Sequence, residues 1–357
     1  MLITGHTGFK GSWLTTWLLK LDAIICGVSD QIPSKPSMFE ELDLEKKIEH
    51  LFCDIRDFHN FSKILTNFNP DFVFHLAAQP IVSVSYEDPI NTISTNVMGT
   101  TVVLESLRCW NQECCVVMIT SDKCYENVEW VWGYKETDHL GGKDIYSGSK
   151  GAAEVIFHAY YESFFKGEDN RIRLATGRAG NVIGGGDWAK DRIVVDCIQN
   201  WAQGKVVKLR SPDATRPWQH VLEPLSGYLA LGAGLEENST LLGESFNFGP
   251  RSEQNRTVLR LLTDLSGQWN FNTVEDAYKV IDNIPFHEAG LLKLNCDKAL
   301  FHLNWEASLS YDDCVVMVGK WYYSFYKCDV DMYKLTLDQI TQYEVSAGLR
   351  GLAWTVA

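Results

Sequence analysis

The chain has 357 residues, 45% hydrophobic and 22% charged, enough for a sizeable core and a cleft in one large or two medium domains. Its formal net charge of -14, with no run of Lys and Arg, excludes a nucleic-acid surface and leaves a small molecule as the expected partner. The ten cysteines show no metal-type spacing, and there is neither a signal core nor an apolar run near the roughly 18 residues of a membrane span. No metal, no membrane and a reducing, cytoplasmic compartment are therefore expected.

Short apolar runs alternate with helix-length amphipathic stretches through the first half of the chain. Met1 to Ile3 reads as a strand and Trp13 to Leu21 as a helix; Ala23 to Val28, Leu51 to Cys53 and Asp71 to Leu76 follow as strands. Then come a helix over about 89 to 109, a strand over Cys114 to Ile119, a helix over about 146 to 165 and a strand over Arg173 to Gly177. This rhythm predicts an α/β fold with a Rossmann-type, doubly wound parallel sheet. Beyond about 180 it gives way to Gly- and Pro-containing loops, read as a smaller, irregular C-terminal substrate domain laid over one end of the sheet. The expected division is a dinucleotide-binding domain over 1–180 with a returning segment near 215–235, a substrate domain mainly over 181–330, and a tail over 331–357.

The first turn carries the first chemistry. MLITGHTGFKGSW sets Gly5, Gly8 and Gly11 at GxxGxxG spacing between the first strand and the first helix, with Thr7 and Phe9 in the same loop. Glycines there permit a tight turn and a close approach of backbone N–H groups to a pyrophosphate. An acidic residue for the adenosine is expected at a later strand end, either Asp30 on the ribose or Asp54, with Ile55 beside it, on the adenine amino group. Leu76, Ala77 and Ala78 place small residues just past the fourth strand, which suits passage of a cofactor and equally suits sheet-edge packing.

The strand over 114 to 119 ends in TSDKCYEN, with Ser121, Asp122 and Lys123 in succession. About 25 residues later YSGSK puts Tyr146 and Lys150 four apart, on one helix face. A free phenol titrates near 10, and lowering it by about 3 units takes about 4 kcal/mol, which a nearby ammonium helps to supply. Lys150 is expected to lower the Tyr146 phenol in this way and to hold the nicotinamide ribose.

Together the glycine loop, the polar strand end and the YxxxK helix resemble the extended short-chain dehydrogenase/reductase family over most of the chain. TGHTGFKGSW, FHLAAQP, STNVMGT, ITSDKCYEN, YSGSK, RAGNVIGGGDWAKDR and RPWQHVLEPLSGY resemble its CDP-glucose 4,6-dehydratase branch more closely. Where sugar-nucleotide dehydratases generally carry a Glu after the Asp, this chain has Lys123, as that branch does. The resemblance implies NAD as cofactor, CDP-glucose as substrate and a homodimer or homotetramer paired through the helices near 89–109 and 146–165. It implies C4 oxidation by Tyr146 and Ser121, loss of water across C5 and C6 with Asp122 as acid and Lys123 as candidate base, and hydride return to C6. A neighbouring carboxylate tends to keep Lys123 protonated, so the two residues share these roles as alternatives, Lys123 otherwise orienting water or steadying the enolate.

It further implies Asn96 on the cofactor side and Gln79, Asn181, Arg192, Arg216, His220, His287 and Glu288 on the substrate side. Bidentate guanidinium–phosphate geometry suits the two arginines. Relatives carry residues before the first strand, so either an incomplete sheet edge at the start or a truncated start is expected. Two rival readings share these motifs: a 4-epimerase, which needs no C5 base or C6 acid, and a non-catalytic NAD-binding regulator, which needs no Ser–Tyr–Lys set.

Overall fold

A computed structural model describes residues 1–167, 169–209, 211–251, 254–269, 271, 273–281, 291–352 and 354. Seven strands form its central sheet: β1 (Leu2–Thr4), β2 (Cys26–Ser29), β3 (Glu49–Phe52), β4 (Phe72–His75), β5 (Cys114–Ile119), β6 (Ile172–Ala179) and β7 (Ser245–Phe248). They lie in the order β3-β2-β1-β4-β5-β6-β7, and every pairing is parallel. The order runs outward from β1 in both directions, so β1 and β4 flank the point where the winding reverses. In open α/β sheets, the crevice beyond the strands' carboxyl ends at that point is where ligands bind.

The strands are apolar on both faces because helices cover both. All six residues of β5, CCVVMI, are buried. Successive residues alternate between two cores: Ile3, Phe74, Val117 and Ala175 face one layer, and Leu2, Val73, Val116 and Leu174 the other. Helices α1 (Phe9–Lys20), α2 (Phe58–Phe68), α3 (Gly99–Trp110) and α4 (Ile145–Tyr160) follow β1, β3, the loop after β4, and β5. The helix expected over 89 to 109 runs from Pro89 to Trp110 as α-helix, one π-helical segment at Ser94–Met98, and α-helix again.

Beyond 180 the chain forms α5 (Ile193–Ala202) and two-stranded patches, such as Val182–Ile183 beside Gln219–His220. It then returns to the sheet. Helix α6 (Leu222–Glu237) packs on β5 and β6, and β7 pairs with β6 through Ser245↔Thr176 to Phe248↔Ala179. Helices α7 (Tyr311–Lys327) and α8 (Met332–Leu349) follow, the latter within the segment read from sequence as a tail. Helix α8 packs against α1 through Trp17 and Tyr343, whose rings lie 5.6 Å apart. The sheet edge expected to be incomplete is intact, because β1 is an interior strand paired on both sides. Among the described residues no helix is long and apolar enough to cross a membrane.

Candidate active site

A cleft of about 950 Å³ opens at the carboxyl ends of the strands. Gly5, Thr7, Gly8, Phe9 and Gly11 line it from the β1–α1 loop, Asp30 from the end of β2, and Asp54 and Ile55 from the end of β3. The three glycines differ in what they answer to. Gly5 has φ +75° and lies where a Cβ would sit 2.8 Å from the Ala77 nitrogen; a Cβ on Gly11 would fall 2.1 Å from the Gly5 carbonyl oxygen. Packing within the protein explains both. At Gly8 the nearest atom to a Cβ is 3.3 Å away, and this residue caps α1 with no side-chain hydrogen bond to the helix. An uncapped helix start facing an open cleft suits a phosphate-bearing ligand.

Neighbouring side chains fix this loop. Thr7 donates from Oγ1 to the Gln31 carbonyl at 2.7 Å, and His6 Nε2 lies 2.7 Å from His50 Nδ1. The Asp54 carboxylate is held by Arg56 through Nε and Nη2, at 2.9 and 2.6 Å, and these hydrogen bonds keep it below the usual carboxylate range. At the end of β4, Thr4 Oγ1 lies 2.8 Å from His75 Nδ1 and accepts from the Ala77 N–H at 3.2 Å, which seats Leu76, Ala77 and Ala78 on the cleft floor.

Ser121, Asp122, Lys123, Tyr146 and Lys150 line the same cleft. Ser121 Oγ donates to Asp122 Oδ1 at 3.0 Å and accepts from the Lys123 N–H at 3.2 Å, so the strand end is capped by its own serine. Asp122 is 4% exposed, and its carboxyl occupies the place of a missing side chain: a Cβ on Gly180 would stand 1.9 Å from Asp122 Oδ2. Burial raises the Asp122 pKa, outweighing the Lys123 ammonium and the Ser121 hydrogen bond. This favours the proton-bearing form that an acid needs.

The expected effect of Lys150 on Tyr146 is not what the structure shows. Burial pushes the phenol up to about 12, and the opposing influences are the Ser121 hydrogen bond and the charge of Arg192. Lys150 is itself buried, and desolvation draws its ammonium down to about 8. An ammonium of that pKa is still largely protonated at neutral pH.

Beneath these residues lies a polar network that the sequence motifs did not indicate. Glu154, one helical turn after Lys150, pairs with Arg178 of β6 at 2.8 Å with both side chains essentially inaccessible. Glu154 also accepts from Thr120 at the end of β5, and from Thr176 and Ser245 at 3.1 and 3.2 Å. Arg178 donates onward to the Tyr125 hydroxyl at 2.7 Å, which donates to Asn247 Oδ1 at 2.8 Å. Burial alone would raise the Glu154 pKa, but Arg178 holds it at about 2. The network ties α4 to β5, β6 and β7 directly behind the Tyr146–Lys150 face.

Other predicted residues divide. Gln79, Asn181, Arg192 and Arg216 line the cleft. Gln79 already spends its amide on Thr92 Oγ1 and the Ile81 N–H, at 2.8 and 2.5 Å. Asn181 sits at φ +50°, a left-handed position that asparagine tolerates. Asn96 is 2% exposed and lies below the floor, accepting from the Gln79 N–H and donating to Ser149 Oγ, so it braces the floor from underneath. His220 does not reach the cleft: it is fully buried edge-on to Trp13, and desolvation drives its pKa down to about 3. His287 and Glu288 lie outside the described residues. Lys10 and Gly180 line the cleft without having been singled out, although both sit inside quoted motifs, GFKGSW and RAGN.

Comparison with known proteins gives a consistent picture. Residues 2–318 match the family described as GDP-mannose 4,6 dehydratase. The chain is 44% identical to a CDP-glucose 4,6-dehydratase of Salmonella typhimurium, over 96% of this chain and 95% of that one. It is 25% identical to a CDP-paratose 2-epimerase of Salmonella typhi, over 90% and 98% of the two chains. The fold superposes on a dTDP-glucose 4,6-dehydratase of Bacillus anthracis in complex with NAD with TM-score 0.75 at 17% identity, covering 91% and 96% of the chains.

Proposed function

Because this chain belongs to the GDP-mannose 4,6 dehydratase family, we propose that it converts CDP-glucose to CDP-4-dehydro-6-deoxy-glucose and water with NAD as a recycled cofactor. The observation that carries the reading is the meeting of Ser121, Asp122 and Lys123 with Tyr146 and Lys150 on one cleft wall. Identity of 44% over nearly the whole chain supports CDP-glucose among nucleotide sugars.

The β1–α1 loop, Asp54, the Leu76–Ala78 floor, Tyr146 and Lys150 are the residues that would hold the dinucleotide. When bound there, the dinucleotide would supply a hydride acceptor and return the hydride, so that none is consumed. Tyr146, as phenolate, takes the proton of the C4 hydroxyl, and Ser121 hydrogen-bonds the same oxygen. The resulting C4 ketone acidifies the C5 proton. Asp122 then donates its proton to the departing C6 hydroxyl, with Lys123 beside it as base or as support for the enolate. Raising of the Asp122 pKa by burial is what lets a carboxyl act as acid near neutral pH.

A 4-epimerase would share the fold and Ser121, Tyr146 and Lys150, but it gives the buried Asp122 and its neighbour Lys123 no task. Assembly as a homodimer or homotetramer is part of the same reading. Ile93 and Met98 are 44% and 51% exposed on one helical run, and Ile145 and Val155 of α4 are 39% and 55% exposed. Sedimentation of the purified chain tests this, a monomer counting against it.

The decisive experiment is product mass after incubation with NAD and, in turn, CDP-, UDP-, dTDP- and GDP-glucose. Loss of about 18 Da, the mass of water released in the elimination, from CDP-glucose alone is the expected result. Unchanged mass with a chromatographic shift would instead establish epimerisation.

A further inference from the structure

Within the motif RPWQHVLEPLSGY, Arg216 lines the cleft and His220 turns inward against Trp13, which leaves Gln219 between them to be accounted for. Gln219 is 2% exposed, in the short strand Gln219–His220 that runs beside Val182–Ile183. Its side-chain Nε2 donates twice, to the Gly180 carbonyl at 2.9 Å and to the Phe248 carbonyl at 3.1 Å. Its backbone N–H donates to the Asn181 carbonyl at 3.3 Å. One residue thus ties the turn after β6 to the end of β7. The orientation of the amide is fixed by chemistry, since the reverse would set an oxygen against two carbonyls. In that orientation Oε1 is buried with no hydrogen-bond partner among the described residues. An apolar side chain of the same size would avoid the cost of that unpaired oxygen, so what the amide contributes here is its two donors.

The turn held in this way is the one on which the Asp122 carboxyl rests. A Cβ on Gly180 would stand 1.9 Å from Asp122 Oδ2 and 2.0 Å from its Cγ, so the carboxyl packs directly on the Gly180 backbone. The other oxygen, Oδ1, accepts from Ser121 Oγ at 3.0 Å. Ser121 therefore fixes one side of the carboxyl, and the backbone at Gly180 fixes the other. We propose that Gln219 is a positioning residue for the elimination: through the Gly180 carbonyl it holds the backbone that sets where the Asp122 carboxyl delivers its proton. The bond to Phe248 gives the amide a second anchor at the end of β7, so the turn takes its place from the sheet itself.

This inference rests on the dehydratase reading above. Gln219→Met keeps the length of the side chain and the backbone bond to Asn181 but removes both side-chain donors. Water loss from CDP-glucose is expected to slow roughly tenfold or more, the scale on which small misplacements of a reacting group act. The first oxidation, and affinity for CDP in calorimetric titration of the full-length protein, should stay within about twofold, since neither uses the Asp122 carboxyl. Bound NADH should therefore build up in stopped-flow traces with CDP-glucose. The readout specific to positioning is coupling: on an Asp122→Asn background, Gln219→Met should slow water loss no further. Full-rate elimination, an equal loss of oxidation and CDP binding, or an undiminished effect on the Asp122→Asn background would overturn the proposal. Gln219→Leu, which also lacks both donors, carries the same expectations if Gln219→Met does not fold. Failure of both to fold would make Gln219 a structural brace alone and overturn the positioning role. A wild-type chain that removes no water from CDP-glucose would instead refute the dehydratase reading before any variant is made.

Discussion

In the proposed mechanism three side chains at the end of β5, and one missing side chain opposite them, set the chemistry. Tyr146→Phe removes the proton acceptor for the first step and is expected to lower turnover on the order of 10²–10⁴-fold, with no NADH absorbance on adding substrate. Lys123→Ala leaves that oxidation possible but slows water loss, so NADH should accumulate on the enzyme in stopped-flow traces; full turnover would remove Lys123 from the mechanism. Gly180→Ala drives a methyl group to within 1.9 Å of the Asp122 carboxyl and must displace it. Elimination should fall at least tenfold, in the range of an impaired general acid, while dinucleotide affinity is kept. In the proposed mechanism the proton-bearing form of Asp122 is the active one, so elimination should decline as pH rises through its raised pKa. The side chains that meet in this cleft were readable in SDKCYEN and YSGSK, whose positions at a strand end and on one helix face bring them together. Gly180 was not readable in that sense: a glycine in a loop shows a missing Cβ, and only the fold shows whose carboxyl fills the space.

Elements meet at the buried Glu154–Arg178 pair. Removing one partner strands the other charge in a dry interior, which costs roughly 3–5 kcal/mol, whereas removing both costs much less. Glu154→Met and Arg178→Met are therefore each expected to destabilise the protein by about that amount in chemical denaturation, and the double variant by less than the sum of the two. Because Glu154 receives Thr120, the single variants should also loosen the strand end that carries Ser121. Periodicity gave β1 through β6 and helices α1, α3 and α4, but not α2, since apolar runs of strand length between amphipathic runs admit few other arrangements. It missed the network, whose members are spread over 127 residues of sequence from Thr120 to Asn247 and share no local spacing. His220 failed as a site residue for a related reason: its motif is genuine, but α6 begins beside it and turns the ring inward against Trp13.

The whole molecule is joined through Glu223 on α6. Its carboxyl accepts from the Ser308 and Leu309 N–H groups at 2.9 and 2.6 Å and from the Tyr343 hydroxyl at 2.8 Å, linking the sheet's covering helix to the segment before α7 and to α8. Burial raises its pKa from 4.5 to about 7. The folded state thus holds this proton more tightly than the unfolded chain, so its contribution is complete below about pH 4.5 and is lost as pH climbs to about 7. At about 1.4 kcal/mol per unit, the loss is about 3 kcal/mol. Glu223→Gln should abolish it, so that the variant's melting temperature gains on wild type between pH 5 and pH 7.5. The segment 331–357 gave no sequence motif, and its helix is nonetheless structural: Trp17 of α1 donates to Glu344 of α8 at 2.8 Å across 327 residues. Since α1 precedes α8 by more than 300 residues, it leaves the ribosome well before its partner. The flank of α1 around Trp17 therefore stays uncovered during synthesis until the residues of α8 have been added.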